Sequence, residues 1–306
     1  MGGHLCEALL HRGDEVVCVD DLSSSERLGV AHLEGRPGFR LVVGDACDPG
    51  VLGALGRVDA VAHLASPASP SDYRERPLDT LRAGSRGTEA ALELAAGSGA
   101  RFLLASTSEV YGDPAVHPQP ESYAGNVDPV GPRSMYDESK RFAEALTVGY
   151  RDAAGVNACI ARIFNTYGPR MRAGDGRVVP SFVTAALAGE PLVCFGDGTQ
   201  TRSLCYVSDL VGGLIALLGS DLAGPVNLGN PEELTMLDLA ALVLELTRSH
   251  SPVEFAPLPG DDPKRRCPDI SLATAALGWL PLVPLREGLA RTIDWFAASR
   301  SVRAAG

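Results

Sequence analysis

The chain has 306 residues, 45% of them hydrophobic and 21% charged, which suits a folded soluble protein with one large core or two modest ones. A formal net charge of -11 argues against a broad surface for nucleic acid or an anionic membrane. No apolar run approaches the roughly 20 residues of a membrane span and no signal peptide is visible, so the compartment expected is the cytoplasm.

In chain order, short β-rich runs are predicted at Glu15–Val19, Phe39–Val43, Ala60–Leu64, Phe102–Ser106 and Asn157–Phe164. Helices are predicted at Leu5–Arg12, Ala83–Gly97 and Tyr136–Ala153. Strands alternating with helices mean βαβ units, hence an α/β fold with a Rossmann-like, doubly wound parallel sheet. The second half is richer in turns, at Gly174–Gly176, Gly196–Gly198, Gly229–Pro231 and Pro257–Pro263, with helices near Leu237–Arg248 and Leu285–Ser299. The expected division is a dinucleotide-binding domain over 1–168, rejoined by 203–227, and a smaller α/β substrate-binding domain over most of 169–306.

The start departs from the pattern. A dinucleotide fold opens with a strand, a Gly-rich turn and a helix whose N-terminus faces the pyrophosphate. Here Met1-Gly2-Gly3-His4 runs straight into a helix, so the first strand and two of three glycines are missing from this sequence. That strand is central in the usual order, and without it two edges inside the sheet are left unpaired. The expectation is that Met1 is an internal codon and that the natural protein begins roughly ten residues earlier. Asp20, ending the next apolar run, stands where a ribose-binding acid belongs. Cysteines 6, 18, 47, 159, 194, 205 and 267 form no CxxC pair and have no histidine cluster nearby in sequence, which argues against a structural metal and fits reduced thiols.

Chemistry concentrates at two places. Tyr136 and Lys140 are four apart and share one helix face, where a cation favours the phenolate a hydroxyl-abstracting base requires. Thr107, Ser108 and Glu109 follow a predicted strand, at the carboxyl edge where α/β sheets bind ligands. Thr107 can hold the oxygen that Tyr136 deprotonates, and Glu109 adds a carboxylate.

The ordered set of motifs carries a resemblance across nearly the whole chain. It comprises His63–Ser69, Thr107–Pro114, Val116–Glu121, Gly131–Glu138, Ala161–Met171, Asp175–Val179, Gly198–Arg202, Val226–Glu233 and Asp261–Ile270. The chain resembles the extended short-chain dehydrogenase/reductase family, the epimerases and dehydratases of nucleotide sugars, and within it the UDP-glucuronate decarboxylases (UDP-xylose synthases). The resemblance implies NAD against Gly2, Asp20, Asp21, Ser23, Asp45, Ala46, Leu64, Ser66, Ala105, Tyr136, Lys140, Thr166 and Arg177. The acid at Asp20 favours NAD over NADP. It implies Thr107, Ser108, Glu109, Tyr136, Lys140 and Arg266 as catalytic residues. Arg82, Glu109, Asn165, Arg170, Arg202 and Arg266 are the implied holders of a UDP-sugar, arginine's fork suiting phosphate and carboxylate alike.

The implied reaction oxidises C4, loses the C5 carboxylate and reduces C4 again, in a homodimer built on helices near Leu81–Gly97 and Tyr136–Ala153. Glu109 or Arg266, acting through water, is the expected governor of C5 protonation. Ser139, Ala124 and Arg172 depart from the family's usual glycine, tryptophan and histidine. A nucleotide-sugar 4-epimerase or 4,6-dehydratase is the alternative on the same scaffold. A non-catalytic family member is the alternative of a different class.

Overall fold

A computed structural model describes residues 1–24, 27–257 and 265–305. The turn expected at Pro257–Pro263 and the first four residues of the Asp261–Ile270 motif therefore lie mostly outside the described residues.

The chain opens on helix α1, Gly2–Arg12, closed by Gly13 in the left-handed region. Five parallel strands follow: β1 Val16–Asp20, β2 Phe39–Val43, β3 Ala60–His63, β4 Arg101–Thr107 and β5 Ala158–Ile163. Each lies within two residues of its predicted bounds. β4 is buried at six of seven positions, so its sequence is an unbroken apolar run up to Ser106 rather than an alternation. It pairs with β3 on one side and β5 on the other, Thr107 opposite Ile163. The short strand Val226–Leu228 extends this sheet beyond β5, preceded by the helix Val207–Leu218, which packs on β4 and β5. The chain thus returns to the sheet from the second half.

The sheet is divided. β1 pairs only with β2, and β3 only with β4, among the described residues. β1 and β3 both line one long cleft of about 1380 Å³, and Val17 and Val43 stay exposed. The two unpaired edges expected from the sequence are there.

Helix Thr88–Ser98 and the long helix Ser134–Ala154 cover one face of β4–β5, and Val207–Leu218 covers the other. A separate core joins helices Val178–Ala188, Met236–Thr247 and Leu285–Ala305 to strand Leu192–Phe195. On Ser134–Ala154 the buried positions Tyr136, Ser139, Lys140, Ala143 and Thr147 recur every three or four residues, so one stripe faces inward. The backbone approaches this stripe at Gly84, where a Cβ would stand 2.5 Å from the Ser139 carbonyl oxygen. Gly84→Ala is expected to lower stability by about 1–3 kcal/mol, because both contacting backbones are held in packed helices. Urea unfolding measures it, and an unchanged midpoint contradicts this account.

Candidate active site

Thr107 ends β4, and its hydroxyl accepts from the Glu109 N–H at 3.3 Å as the chain turns into a short 3₁₀ segment. The strand end thereby presents Thr107, Ser108 and Glu109 to the N-terminal turn of Ser134–Ala154. The Thr107 hydroxyl lies close enough to the Tyr136 phenol to favour its ionised form. Its ring stacks on Tyr73 at 5.2 Å between centroids. Lys140 lies 5.9 Å from the Tyr136 centroid and donates through Nζ to the Ala105 carbonyl at 2.9 Å. Ser108 is buried in the same turn.

Glu109 is the electrostatic centre. Its carboxylate receives both terminal nitrogens of Arg266, one of them at 2.8 Å, and Nη2 of Arg133 at 2.5 Å. Burial alone would raise its pKa, but the Arg266 and Arg133 guanidiniums outweigh that and hold it well below the usual carboxylate range. The Arg266 Nε–H is buried without a hydrogen-bond partner among the described residues.

The expectation that Lys140 lowers the Tyr136 pKa is not met. Burial, followed by the Glu109 carboxylate, pushes Tyr136 up to about 12, against the Thr107 hydroxyl. Burial likewise brings Lys140 down to about 8, so the low dielectric acts on both partners.

The cleft between β1 and β3 collects most of the residues expected to hold the cofactor. Gly2, Asp20, Asp21 and Ser23 line it from the α1–β1 side, Asp45 and Ala46 from beyond β2, Leu64 and Ser66 from beyond β3, and Arg177 from the second half. Ala105, Tyr136, Lys140 and Thr166 lie outside its lining, the first three in the Thr107 cluster. The residues fit a dinucleotide. The first turn of α1 carries no acidic side chain and no side-chain cap, with open space beside Gly2, so its N–H groups suit a phosphate. Asp20 and Asp21 stand at the end of β1, where a carboxylate accepts from ribose hydroxyls and repels a 2′-phosphate.

The remaining arginines divide. Arg82 pairs with Asp79 at 3.0 Å and lines the cleft. Arg170 lies there too, its guanidinium engaged by Glu7 at 2.5 Å and by His4 and His32. Neither joins Arg266. Arg202 lies in strand Thr201–Ser203 and donates to its neighbour's carbonyl, and Asn165 accepts through its backbone from Cys205. Three members of the site were missed: Arg133, Asp137 and Tyr73. Arg133 lies one helical turn before Tyr136, inside the Gly131–Glu138 stretch.

A second grouping was not visible in the cysteine spacing. His117, Glu233 and Cys267 bring potential ligand atoms within 4.8 Å of one another. Arg265 already donates to His117 Nε2 at 2.8 Å and to Glu233 at 3.1 Å, so a guanidinium is the cation held there.

A parallel sheet with a cleft at its carboxyl edge and a tyrosine–lysine helix beside it is the architecture of the Rossmann-like α/β proteins. The model of the NAD dependent epimerase/dehydratase family matches residues 1–229, and the chain belongs to that family. It is 50% identical over 297 residues to UDP-glucuronic acid decarboxylase 1 of Danio rerio, covering 97% of this chain and 70% of the relative. The structure of UDP-glucose 4-epimerase with UDP-glucose from Thermotoga maritima superposes with a TM-score of 0.90 at 27% identity, covering 98% of this chain and 96% of that one. UDP-glucuronic acid 4-epimerase of Bacillus cereus, in complex with UDP-glucuronic acid and NAD, gives 0.88 at 27% identity, covering 97% and 96%.

Proposed function

We infer that this chain is a UDP-glucuronic acid decarboxylase, an NAD-dependent carboxy-lyase that forms UDP-xylose. The observation that carries this reading is the buried Glu109–Arg266 pair beside Thr107 and Tyr136, in a chain half identical to decarboxylases of that name. NAD, when bound, accepts hydride from C4 of the sugar and gives it back, so the reaction has no net redox change.

The protein's own residues do the rest. Tyr136 takes the proton of the 4-hydroxyl, and Thr107 holds the same oxygen. The resulting 4-keto sugar is a β-keto acid, whose C5 carboxylate leaves as carbon dioxide. Charge then develops on the C4 oxygen, where Thr107 and Tyr136 donate hydrogen bonds. The buried Nε–H of Arg266 is suited to the departing carboxylate. Gly2, Asp20, Asp21, Ser23 and Arg177, which line the cleft, would hold the cofactor, with Lys140 beside Tyr136.

Two copies pair through the helical stretches near Leu81–Gly97 and Tyr136–Ala153, on which Leu81 and Phe142 are exposed. The compartment proposed is the cytoplasm, where seven free cysteines stay reduced. Among the described residues no helix is long and apolar enough to cross a membrane.

Mass spectrometry after incubation with NAD and UDP-glucuronate tests the reading. The expected product lacks the mass of carbon dioxide; an isomer of unchanged mass would make the chain an epimerase, and no reaction would remove the assignment.

A further inference from the structure

Resting on the decarboxylase reading, we propose that Asp137 is the acid that protonates C5 after carbon dioxide leaves.

The proton balance calls for such a group. The substrate carboxylate leaves as neutral carbon dioxide, and the electron pair of the broken C5–C bond passes into the enolate. A new C5–H bond must then form with a proton the substrate did not bring. The proton Tyr136 removes from the 4-hydroxyl is not that one, because it returns to the same oxygen when the ketone is reduced. The site therefore needs a second acid, reloaded from solvent once per turnover.

The neighbouring groups fail that requirement one by one. Glu109 is held ionised between Arg266 and Arg133. A guanidinium does not give up its proton in a protein. Lys140 directs Nζ to the Ala105 carbonyl, and the Thr107 hydroxyl, an alcohol, is far too weak an acid. Tyr73 has a buried hydroxyl without a partner, but burial makes that phenol a still weaker acid.

Asp137 meets it. It follows Tyr136 directly on the helix, is 6% exposed, and its Oδ1 is buried with no hydrogen-bond partner among the described residues. An ionised carboxylate left so is costly, whereas the protonated form needs less. The groups facing it are Glu109 from the turn after β4, Arg266 from the second half, Tyr73 from helix Pro70–Glu75, and Arg133 and Glu138 from its own helix. Burial first, and the Glu109 carboxylate second, favour the neutral form; Arg133 and Arg266 oppose them without prevailing. Charge counting agrees. Two arginines are balanced by Glu109 and the incoming substrate carboxylate, and an ionised Asp137 would add a third negative charge.

The test compares wild type with Asp137→Asn in deuterium oxide, with NAD and UDP-glucuronate. Wild type is expected to place one deuteron on a single face of C5. In Asp137→Asn, turnover is expected to fall by on the order of 10²–10⁴-fold. Bound cofactor is still reduced and accumulates in that form, and the residual product carries deuterium on both faces. Asp137→Glu, which keeps the acid, should recover part of the rate and the single-face label. A folded Asp137→Asn protein with near-normal turnover and single-face labelling overturns the role. So does one in which cofactor reduction falls as far as turnover, since that marks a structural part; if this variant does not fold, the same readings on Asp137→Glu decide. A wild type that releases no carbon dioxide overturns the decarboxylase reading itself, a result distinct from either.

Discussion

Tyr136→Phe is expected to reduce carbon dioxide release from UDP-glucuronate by at least on the order of 10²–10⁴-fold, while leaving the fold almost untouched. The substitution removes one hydroxyl and keeps the ring, which is stacked 5.2 Å from Tyr73 in a buried position. What is lost structurally is one polar contact with the Thr107 hydroxyl. What is lost chemically is the only group in the cluster placed to take a proton from the oxygen that Thr107 holds. The phenol starts from an unfavourable position, pushed up to about 12 by burial and Glu109. It becomes a base only when positive charge is close, and Lys140 keeps its proton only below about pH 8. Lys140→Met should therefore impair turnover as well. Parallel assays of carbon dioxide release and thermal unfolding check both sides of the argument; near-normal turnover in Tyr136→Phe would strip Tyr136 of its role.

Much of this site was legible in the sequence because its parts are local. A tyrosine and a lysine four apart share a helix face, and a threonine ending an apolar run falls at a strand's carboxyl edge. Both statements need only the helix and strand periods. Strand positions were readable for the same reason, as was the open edge created where β1 and β3 have no strand between them. The rest depends on tertiary approach. Glu109 and Arg266 lie 157 positions apart, and their bidentate contact is fixed by how the second half folds back over the sheet. Arg133 and Asp137 sit in the Gly131–Glu138 stretch, yet nothing in the spacing says that one pairs with Glu109 while the other is buried without a partner for Oδ1 among the described residues. The tyrosine pKa was misjudged because proximity of a cation is visible in sequence and burial is not. Arg162, in the middle of a motif, serves structure: it pairs with Glu144 at 2.7 Å and donates to Tyr111 at 3.1 Å.

Glu109→Gln is the change expected to cost most stability, about 3–5 kcal/mol, as well as activity. The amide has nearly the same shape but leaves at least one of the Arg266 and Arg133 charges uncompensated inside the protein, since Asp137 can supply only one carboxylate. The side chains of Glu109, Arg133 and Arg266 are 14%, 14% and 4% exposed, so water cannot repair the loss. An exposed pair such as Arg291–Glu287, with both side chains about half exposed, contributes little by comparison. The pH dependence has a definite sign. Glu109 in the folded protein ionises below the ordinary carboxylate value of roughly 4.3, so its contribution is complete above that value and fades as pH falls below it. The gap in urea stability between wild type and Glu109→Gln should thus be widest near neutrality and narrow in acid, because the glutamine does not titrate. A gap that stays constant from neutrality into acid would show that lost packing, rather than lost charge, is what destabilises the variant.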